Sequence, residues 1–544
     1  MFIRAIRGLC SRNRFRKMNQ PFFRHVNFVF SKMRLLAPAL FFLAAAPWSR
    51  SAEHRVVVLV WDGMRPDFVS EQDTPTLMKL AREGVVFARH HSVYPTSTEV
   101  NGTALATGAL PRHSGIIANR EYRPQINELK PVETQDIAAI RKGDSLSRGK
   151  YLAVPTLAET LQRAGIHTAI AGTKAVALLH DRADARTQGS AAKSAILFGG
   201  QTIPGTMLGT LVAAFGSFAK EVEFPDTPHN VWTTRALVEH LWKDDVPRFS
   251  LLWLNEPDLT QHRTGPGSPL ARAALRSSDG NLATVLAALE QRSLRATTDV
   301  FVVSDHGFST VTQVVDVTAD LAAAGLATAR EFKNPPQRDE ILLVSNGGSL
   351  MFYIVQHDAK IARRLVEHLQ HTDYAGVIFA REKIEGAFPL SEARIDTPDA
   401  PDVVMAFRWS EDKNEFGAPG LLLADGQRKV TFGTHSSLSP HDLHNTLIAA
   451  GPDFKRGWTD ETPSGNIDLA PTVLAILGVE PSQPMDGRVL GEAMAGRDET
   501  PKREQSRSEA TRSFPEGKWR QFLEIARVGK SIYFERGNGA FGAK

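Results

Sequence analysis

Apolar runs that stop abruptly at polar residues recur along this chain: RVVVLVWDG (55–63), HTAIAG (167–172), FSLLWLNEPD (249–258), DVFVVSDHG (299–307) and TLIAAGPD (446–453). Unbroken Val/Ile/Leu runs suit strands buried on both faces, as in a parallel sheet. Between them the period lengthens. TLAETLQRAG (156–165) has Thr156 and Glu159 at capping-box spacing and a closing Gly165, and NIDLAPTVLAILG (466–478) has an early Pro471 and a terminal Gly478, so both predict helices. Strands alternating with helices predict an α/β fold with a mostly parallel sheet.

Over 315–430 the rhythm changes. SLMFYIV (349–355), AKIARRLVEHLQ (359–370), YAGVIFAR (374–381) and DVVMAFRWS (402–410) read strand, helix, strand, strand. This predicts a smaller α+β insertion, a cap, set into a core formed by 53–314 and 431–495. Residues 496–544 make a C-terminal tail. Its 497–513 stretch, charged and rich in Ser and Thr, reads as a flexible connection, and SIYFERGNG (531–539) as a candidate edge strand. No internal repeat is visible.

At 544 residues, 42% hydrophobic and 23% charged, the chain has the composition of a globular protein of several structural units. Its formal charge of +4 misleads, because residues 1–52 hold ten Lys/Arg and no acid; without them 54 basic residues face 60 acidic ones, a formal −6. That balance gives no reason to expect a nucleic-acid polymer as partner. Within the leader, MRLLAPALFFLAAAPWSRSA (33–52) has the basic start, short apolar run and small-residue end of a secretory signal, so a periplasmic or secreted protein is expected. An uncleaved N-terminal segment that associates with a membrane is the alternative. Cys10, the one cysteine, lies in the leader, which leaves the remaining chain without disulfides or thiolate chemistry.

Ligands of parallel α/β sheets bind beyond the carboxyl ends of the strands. Asp62 follows the first run, Asp258 and His262 the third, and Asp305 and His306 the fourth, while GTHSSLSPHDLHN brings His435, His441 and His444 next to the last. Each alone has a plain reading: a strand-end Asp forms turns, and Asp258 with His262 is an i,i+4 pair. Together, three carboxylates and several imidazoles on one rim predict bound cations, since unpaired buried charges repel. The donor set favours zinc, or else manganese or iron, and its size favours two divalent ions. SVYPTSTEVNGTALATG (92–108) then supplies hydroxyls at Thr96, Ser97 and Thr98, one of which a metal site can convert to a nucleophile. The small-residue run after them predicts a helix whose first amides face the rim and favour an anion. FGGQTIPG (198–205) reads either as a lining of the leaving-group pocket or as a plain Gly-rich loop.

In VWDGMRPD (60–67), YPTSTEVNGTALATGALPRHSGI (94–116), NEPDLTQH (255–262), SDHGF (304–308), GTH (433–435) and IDLAPTVLAILG (467–478), the chain resembles the nucleotide pyrophosphatase/phosphodiesterase family of the alkaline phosphatase superfamily, over about residues 54–495. The resemblance implies an alkaline-phosphatase-like three-layer core. It makes Thr98 the nucleophile and a ligand, with Asp62, Asp305 and His306, of one metal, and gives Asp258, His262 and His435 to the second. Asn101 resembles the family asparagine that holds a phosphoryl oxygen, and Thr96 and Ser97 become positioning residues. The chain departs from the family at Glu99-Val100, where Phe-Pro is common, at Gly102 in place of His, and at Ser436 in place of Gly.

The expected activity is hydrolysis of phosphodiester or pyrophosphate bonds in a small, nucleotide-type substrate, through a phosphothreonine intermediate. A phosphomonoesterase or phosphonate hydrolase is the enzymatic rival, and an inactive metal-containing protein that binds a phosphorylated ligand is the rival from another class. The lack of a C/S-x-P-x-R motif at Cys10 or around Thr98 argues against a sulfatase. Diesters are preferred over monoester dianions on electrostatic grounds: no Lys or Arg lies between His90 and Pro111, and Glu99 adjoins Thr98, unless a distant Arg or Lys174 folds into the site.

Overall fold

The computed structural model describes residues 54–184 and 189–543; the expected leader over 1–52 lies outside them. Among the described residues nine strands form the central sheet, in the order Trp458–Asp460, Val85–Phe87, Leu447–Ala450, Thr298–Val303, Arg55–Trp61, Phe249–Leu254, Thr168–Gly172, Ala195–Phe198 and Gln201–Ile203. All run one way except Leu447–Ala450 and the edge strand Gln201–Ile203. The reversal at 447 matters for the site. Leu447 pairs with Val303, so the residues that precede this strand arrive where the parallel strands end.

The first strand shows why its run is apolar throughout. Val56, Val58 and Val60 pack with Val100, Leu105, Leu157, Leu161 and Leu474 on one face, and Val57, Leu59 and Trp61 with Leu77, Leu80, Leu282, Val285 and Leu289 on the other. Helices Thr98–Thr107, Leu157–Arg163 and Leu469–Leu477 thus cover one side, and Pro75–Glu83 and Pro269–Gln291 the other. Each such side chain withdrawn from water contributes about 1.5–3 kcal/mol. The expected capping box forms at Thr156 and Glu159. This is a three-layer α/β core with a mostly parallel sheet, as expected. The stretch 198–205 makes an edge hairpin: Phe198 pairs with Gln201, and Gly199 and Gly200 take the positive φ values its turn requires.

Between 309 and 434 lie two further sheets. One has six strands, among them Ile341–Ser345, Ser349–Ile354, Val403–Phe407 and Ala375–Ala380, with helix Ala359–Gln370 burying Leu365, Val366 and Leu369 against it. The other joins Trp409–Lys413, Pro419–Asp425, Ser309–Val315 and Gly433–Thr434.

The stretch expected to be a flexible connection is mostly strand, and the edge strand expected over 531–539 is present. Arg503–Ser513, Gly517–Val528 and Ser531–Ala543 form a three-stranded antiparallel sheet. It is fastened to the rest through side chains: Gln521 bonds both the N–H and the C=O of Ile378, and the Trp519 indole donates to the Gly386 carbonyl. Residues 503–513 lack a period-2 signal because most of their side chains face solvent.

Candidate active site

Three strand ends and one antiparallel strand start meet at the rim. Asp62 follows Arg55–Trp61 directly, and the turn after it needs Gly63: its φ is +73°, and a Cβ there would stand 3.0 Å from Asp258 Cα and from the Phe308 ring. Asp258 opens the helix Asp258–Thr264, which sets His262 one turn on beside it. Asp305 and His306 follow Thr298–Val303, and His435 follows the short strand Gly433–Thr434. Thr98 is the first residue of helix Thr98–Thr107, with Ser97 as its N-cap.

The imidazoles are oriented from behind. His262 Nδ1 bonds the Gly433 carbonyl at 3.0 Å, His306 Nδ1 that of Gly307 at 2.9 Å, and His435 Nδ1 that of Thr96 at 2.7 Å. Each Nε2 is thereby left as a ligand atom, the arrangement metal-binding histidines use. His306 Nε2 lies 3.3 Å from Asp305 Oδ2 and 3.6 Å from Asp62 Oδ1. His262 Nε2 and His435 Nε2 lie 3.2 and 3.6 Å from Asp258 Oδ1. The His306 and His435 rings stack at 3.7 Å, which joins the two groups. Asp62 Oδ1, Asp258 Oδ1 and Asp305 Oδ2 are buried acceptors without a hydrogen-bond partner. Orphaned carboxylate oxygens facing unprotonated imidazole nitrogens fit divalent cations. Two sets of donor atoms are compact enough for one ion each: Asp62, Asp305 and His306, and Asp258, His306 and His435.

Electrostatics at the rim follow from burial. It pushes Asp62 well above the usual carboxylate range and Asp305 up to about 7. Burial acts on Asp258 in the same sense, but Lys174 and His262 overcome it and hold this carboxylate well below its ordinary value. Burial also lowers His262 and His435, which favours their neutral, ligating form.

Thr98 Oγ1 lies 3.2 Å from His306 Nε2. The neighbouring hydroxyls are engaged elsewhere: Ser97 Oγ bonds Ser436 Oγ at 2.6 Å and Thr96 Oγ1 the Ser437 carbonyl at 3.2 Å. Of the three late histidines, His435 comes to the rim. His441 pairs with Glu411 at 2.8 Å, and His444 faces Glu535. Ser436 has φ +79°, a left-handed conformation that explains why glycine suits this position in the family it resembles.

Asn101 departs from the role the resemblance implies. It is fully buried, its NH2 group donates to the Val93 and Ser97 carbonyls at 3.0 and 3.1 Å, and its Oδ1 accepts from Val93 N–H and from Asn466. Asn466 in turn donates to the Asp305 carbonyl at 2.6 Å. The amide therefore braces the nucleophile loop against the metal loop. A different asparagine stands at the helix start: Asn119 Oδ1 accepts from Glu99 N–H at 3.0 Å, and its half-buried NH2 makes no hydrogen bond within the chain among the described residues. No motif singled it out, because only the tertiary fold brings 119 to 99.

Lys174 also enters the site. Its Nζ lies 2.8 Å from both Asp62 Oδ2 and Asp258 Oδ2, bridging the two carboxylate groups. The Trp253 indole donates to the same Asp62 oxygen at 2.9 Å. Glu99 is buried and its pKa raised by that burial to about 8, so at neutral pH it carries little charge. Lys174 is thus the cation whose entry the sequence reading left open, and with a largely neutral Glu99 it removes the electrostatic ground for disfavouring a monoester dianion.

The model of the family described as type I phosphodiesterase / nucleotide pyrophosphatase matches residues 56–425. Bis(5'-adenosyl)-triphosphatase enpp4 of Xenopus laevis is 24% identical over 450 residues, covering 81% of each chain. Human ectonucleotide pyrophosphatase/phosphodiesterase family member 7 is 23% identical over 478 residues, covering 84% of this chain and 90% of its own. Among solved structures, an inactive variant of murine ectonucleotide pyrophosphatase/phosphodiesterase 5 in complex with AMP superposes with a TM-score of 0.58 at 18% identity, covering 81% of this chain and 100% of that one. The family match runs through the strands that end in Asp62, Asp258 and Asp305 and through the Thr98 helix. The chain belongs to the type I phosphodiesterase/nucleotide pyrophosphatase family, metal-dependent phosphoric diester hydrolases on an alkaline-phosphatase-like fold.

Proposed function

We propose that the protein is exported and hydrolyses phosphodiester or pyrophosphate bonds of small nucleotide-type substrates through a phosphothreonine at Thr98, on a site for two divalent ions, most readily zinc. The observation that carries this reading is the Thr98 hydroxyl, 3.2 Å from His306 Nε2 on a rim with three orphaned carboxylate oxygens. Asp62, Thr98, Asp305 and His306 would hold one ion, and Asp258, His262 and His435 the other. Such ions supply Lewis-acid charge that lowers the pKa of a hydroxyl and offsets phosphoryl charge. Thr98 Oγ loses its proton to solvent and attacks phosphorus; the bond to the leaving oxygen breaks as the new one forms, and that oxygen takes up a proton from solvent as it departs. Water then attacks the phosphothreonine and restores the hydroxyl. Asn119 NH2 and Lys174 Nζ are the donors this chain offers to non-bridging oxygens.

A nucleotide substrate is supported by what the relatives are called, an adenosyl triphosphatase in Xenopus laevis and an AMP complex in mouse. Lys174 favours a second reading, monoester hydrolysis at the same site, because an ammonium group suits the extra charge of a dianion. The test is kcat/KM for a nitrophenyl nucleotide diester against nitrophenyl phosphate after reloading with Zn2+. Diester preference is expected, with turnover abolished in Thr98→Ala and retained in Thr96→Ala. A dead Ser97→Ala with an active Thr98→Ala would move the nucleophile. Cell fractionation tests export.

A further inference from the structure

A second group of imidazole and carboxylate side chains lies outside the catalytic rim. His91 and His444 face each other across a backbone bridge, their rings 4.5 Å apart, and Glu535 reaches them from the C-terminal strand Ser531–Ala543. His91 is 1% exposed. Its Nδ1 bonds the Ser464 carbonyl at 2.9 Å, which places the lone pair on Nε2, and that buried Nε2 has no hydrogen-bond partner. It points at Glu535 Oε2 from 3.4 Å, and His444 Nε2 stands 3.3 Å from the same oxygen. Both separations exceed the usual N–H···O range of 2.7–3.2 Å. They equal the edge of a zinc tetrahedron, since ligands at about 2.0–2.1 Å from the ion stand about 3.3–3.4 Å apart. All three ligand atoms fall within 4.8 Å of one another.

We propose that His91, His444 and Glu535 bind a zinc-type divalent cation that clips the C-terminal sheet to the two catalytic loops. His91 begins the segment leading to Thr98, and His444 ends the segment that starts at His435, so one ion would tie both to the last strand. The surroundings suit a ligand set. Arg89 holds the other oxygen of Glu535, leaving Oε2 as a single donor. Burial lowers the His444 pKa and favours its neutral form. A cavity of about 570 Å³ lined by Glu411, Arg507 and Arg536 reaches His444 and Glu535, giving an ion and a fourth, water ligand a way in.

The test uses the full chain, stripped of metal, reloaded with Zn2+ and freed of excess. Metal content is compared among wild type, His444→Ala and Glu535→Gln, with circular dichroism to show that each is folded. Each variant should carry one zinc per chain fewer than wild type, keep its diester turnover within about twofold, and exchange amide hydrogens faster over 503–543. Glu535→Gln retains size and an acceptor for Arg89, so it reads the ligand even if His444→Ala unfolds. Because the readout is a difference between variants, it holds whatever number of ions the catalytic rim binds. Equal zinc in wild type and folded Glu535→Gln would make the group an ion pair of Arg89, Glu535 and protonated His444 and overturn the site.

Discussion

Glu99 shows how one residue's surroundings set its chemistry. It adjoins Thr98, yet burial raises its pKa to about 8 from an ordinary 4.5. Between those values the folded chain holds a proton that the unfolded chain has lost, so this group's stabilisation is complete below about pH 4.5 and is lost as pH rises through 8. The slope approaches about 1.4 kcal/mol per pH unit in that window. Glu99→Gln cannot titrate, so its Tm relative to wild type should climb steadily from pH 5 to pH 8 in metal-free protein; a constant difference would mean that Glu99 is ionised throughout. Asn101 makes a complementary case. As a brace its loss leaves the Val93 N–H and the Asn466 amide unpaired inside the protein, at about 1–3 kcal/mol each. Asn101→Ala should therefore unfold at lower temperature by several degrees. A normal Tm with a large loss in kcat/KM would restore the phosphoryl contact that the resemblance implies.

At the scale of elements, legibility tracks how much a strand or helix advertises its own burial. Arg55–Trp61, Phe249–Leu254 and Thr298–Val303 are apolar on both faces because helices cover both, and each was readable within a residue or two. The polar residue ending each strand lies at the rim for the same topological reason, which is why Asp62, Asp258 and Asp305 could be found without a structure. Lys174 could be named only as a cation for a distant segment to bring in, and Asn119 not at all: each is a lone polar residue whose position depends on how distant segments pack. In the C-terminal sheet the edge strand Ser531–Ala543 was legible, whereas Arg503–Ser513 was misread because it is stabilised by its pairing with Gly517–Val528 rather than by an apolar face. That sheet is nonetheless anchored in several places, through Gln521 to Ile378, Trp519 to Gly386, and Tyr533 to Asp468 at 2.8 Å. Ending the chain at 502 should expose the partners of all three and lower Tm by about 10 °C or leave insoluble protein. Unchanged melting of a soluble truncated chain would reduce the sheet to an appendage.

Across the whole molecule, the rim is where separate parts of the chain are forced together at an electrostatic cost. Asp62, Asp258 and Asp305 come from three strands and His435 from beyond the 309–434 sheets, and three of their buried oxygens have no partner. Ions that bind only the folded arrangement stabilise it by mass action, about 2.7 kcal/mol when free metal is a hundred times Kd. Chelation should therefore lower Tm, and Zn2+ should restore it. Lys174 sharpens this expectation, since its ammonium bridges Asp62 and Asp258 at 2.8 Å each and can offset their charge in the absence of an ion. Removing one member of a buried ion pair costs about 3–5 kcal/mol when nothing replaces it. Lys174→Met should consequently cost much more stability in chelated protein than in zinc-loaded protein, where the ions carry the compensating charge. Thermal melts of wild type and Lys174→Met, each with and without metal, measure that difference. An equal penalty in both states would show that Lys174 and the metal do not share the same carboxylates, and a wild-type Tm indifferent to chelation and reloading would remove the cation site itself.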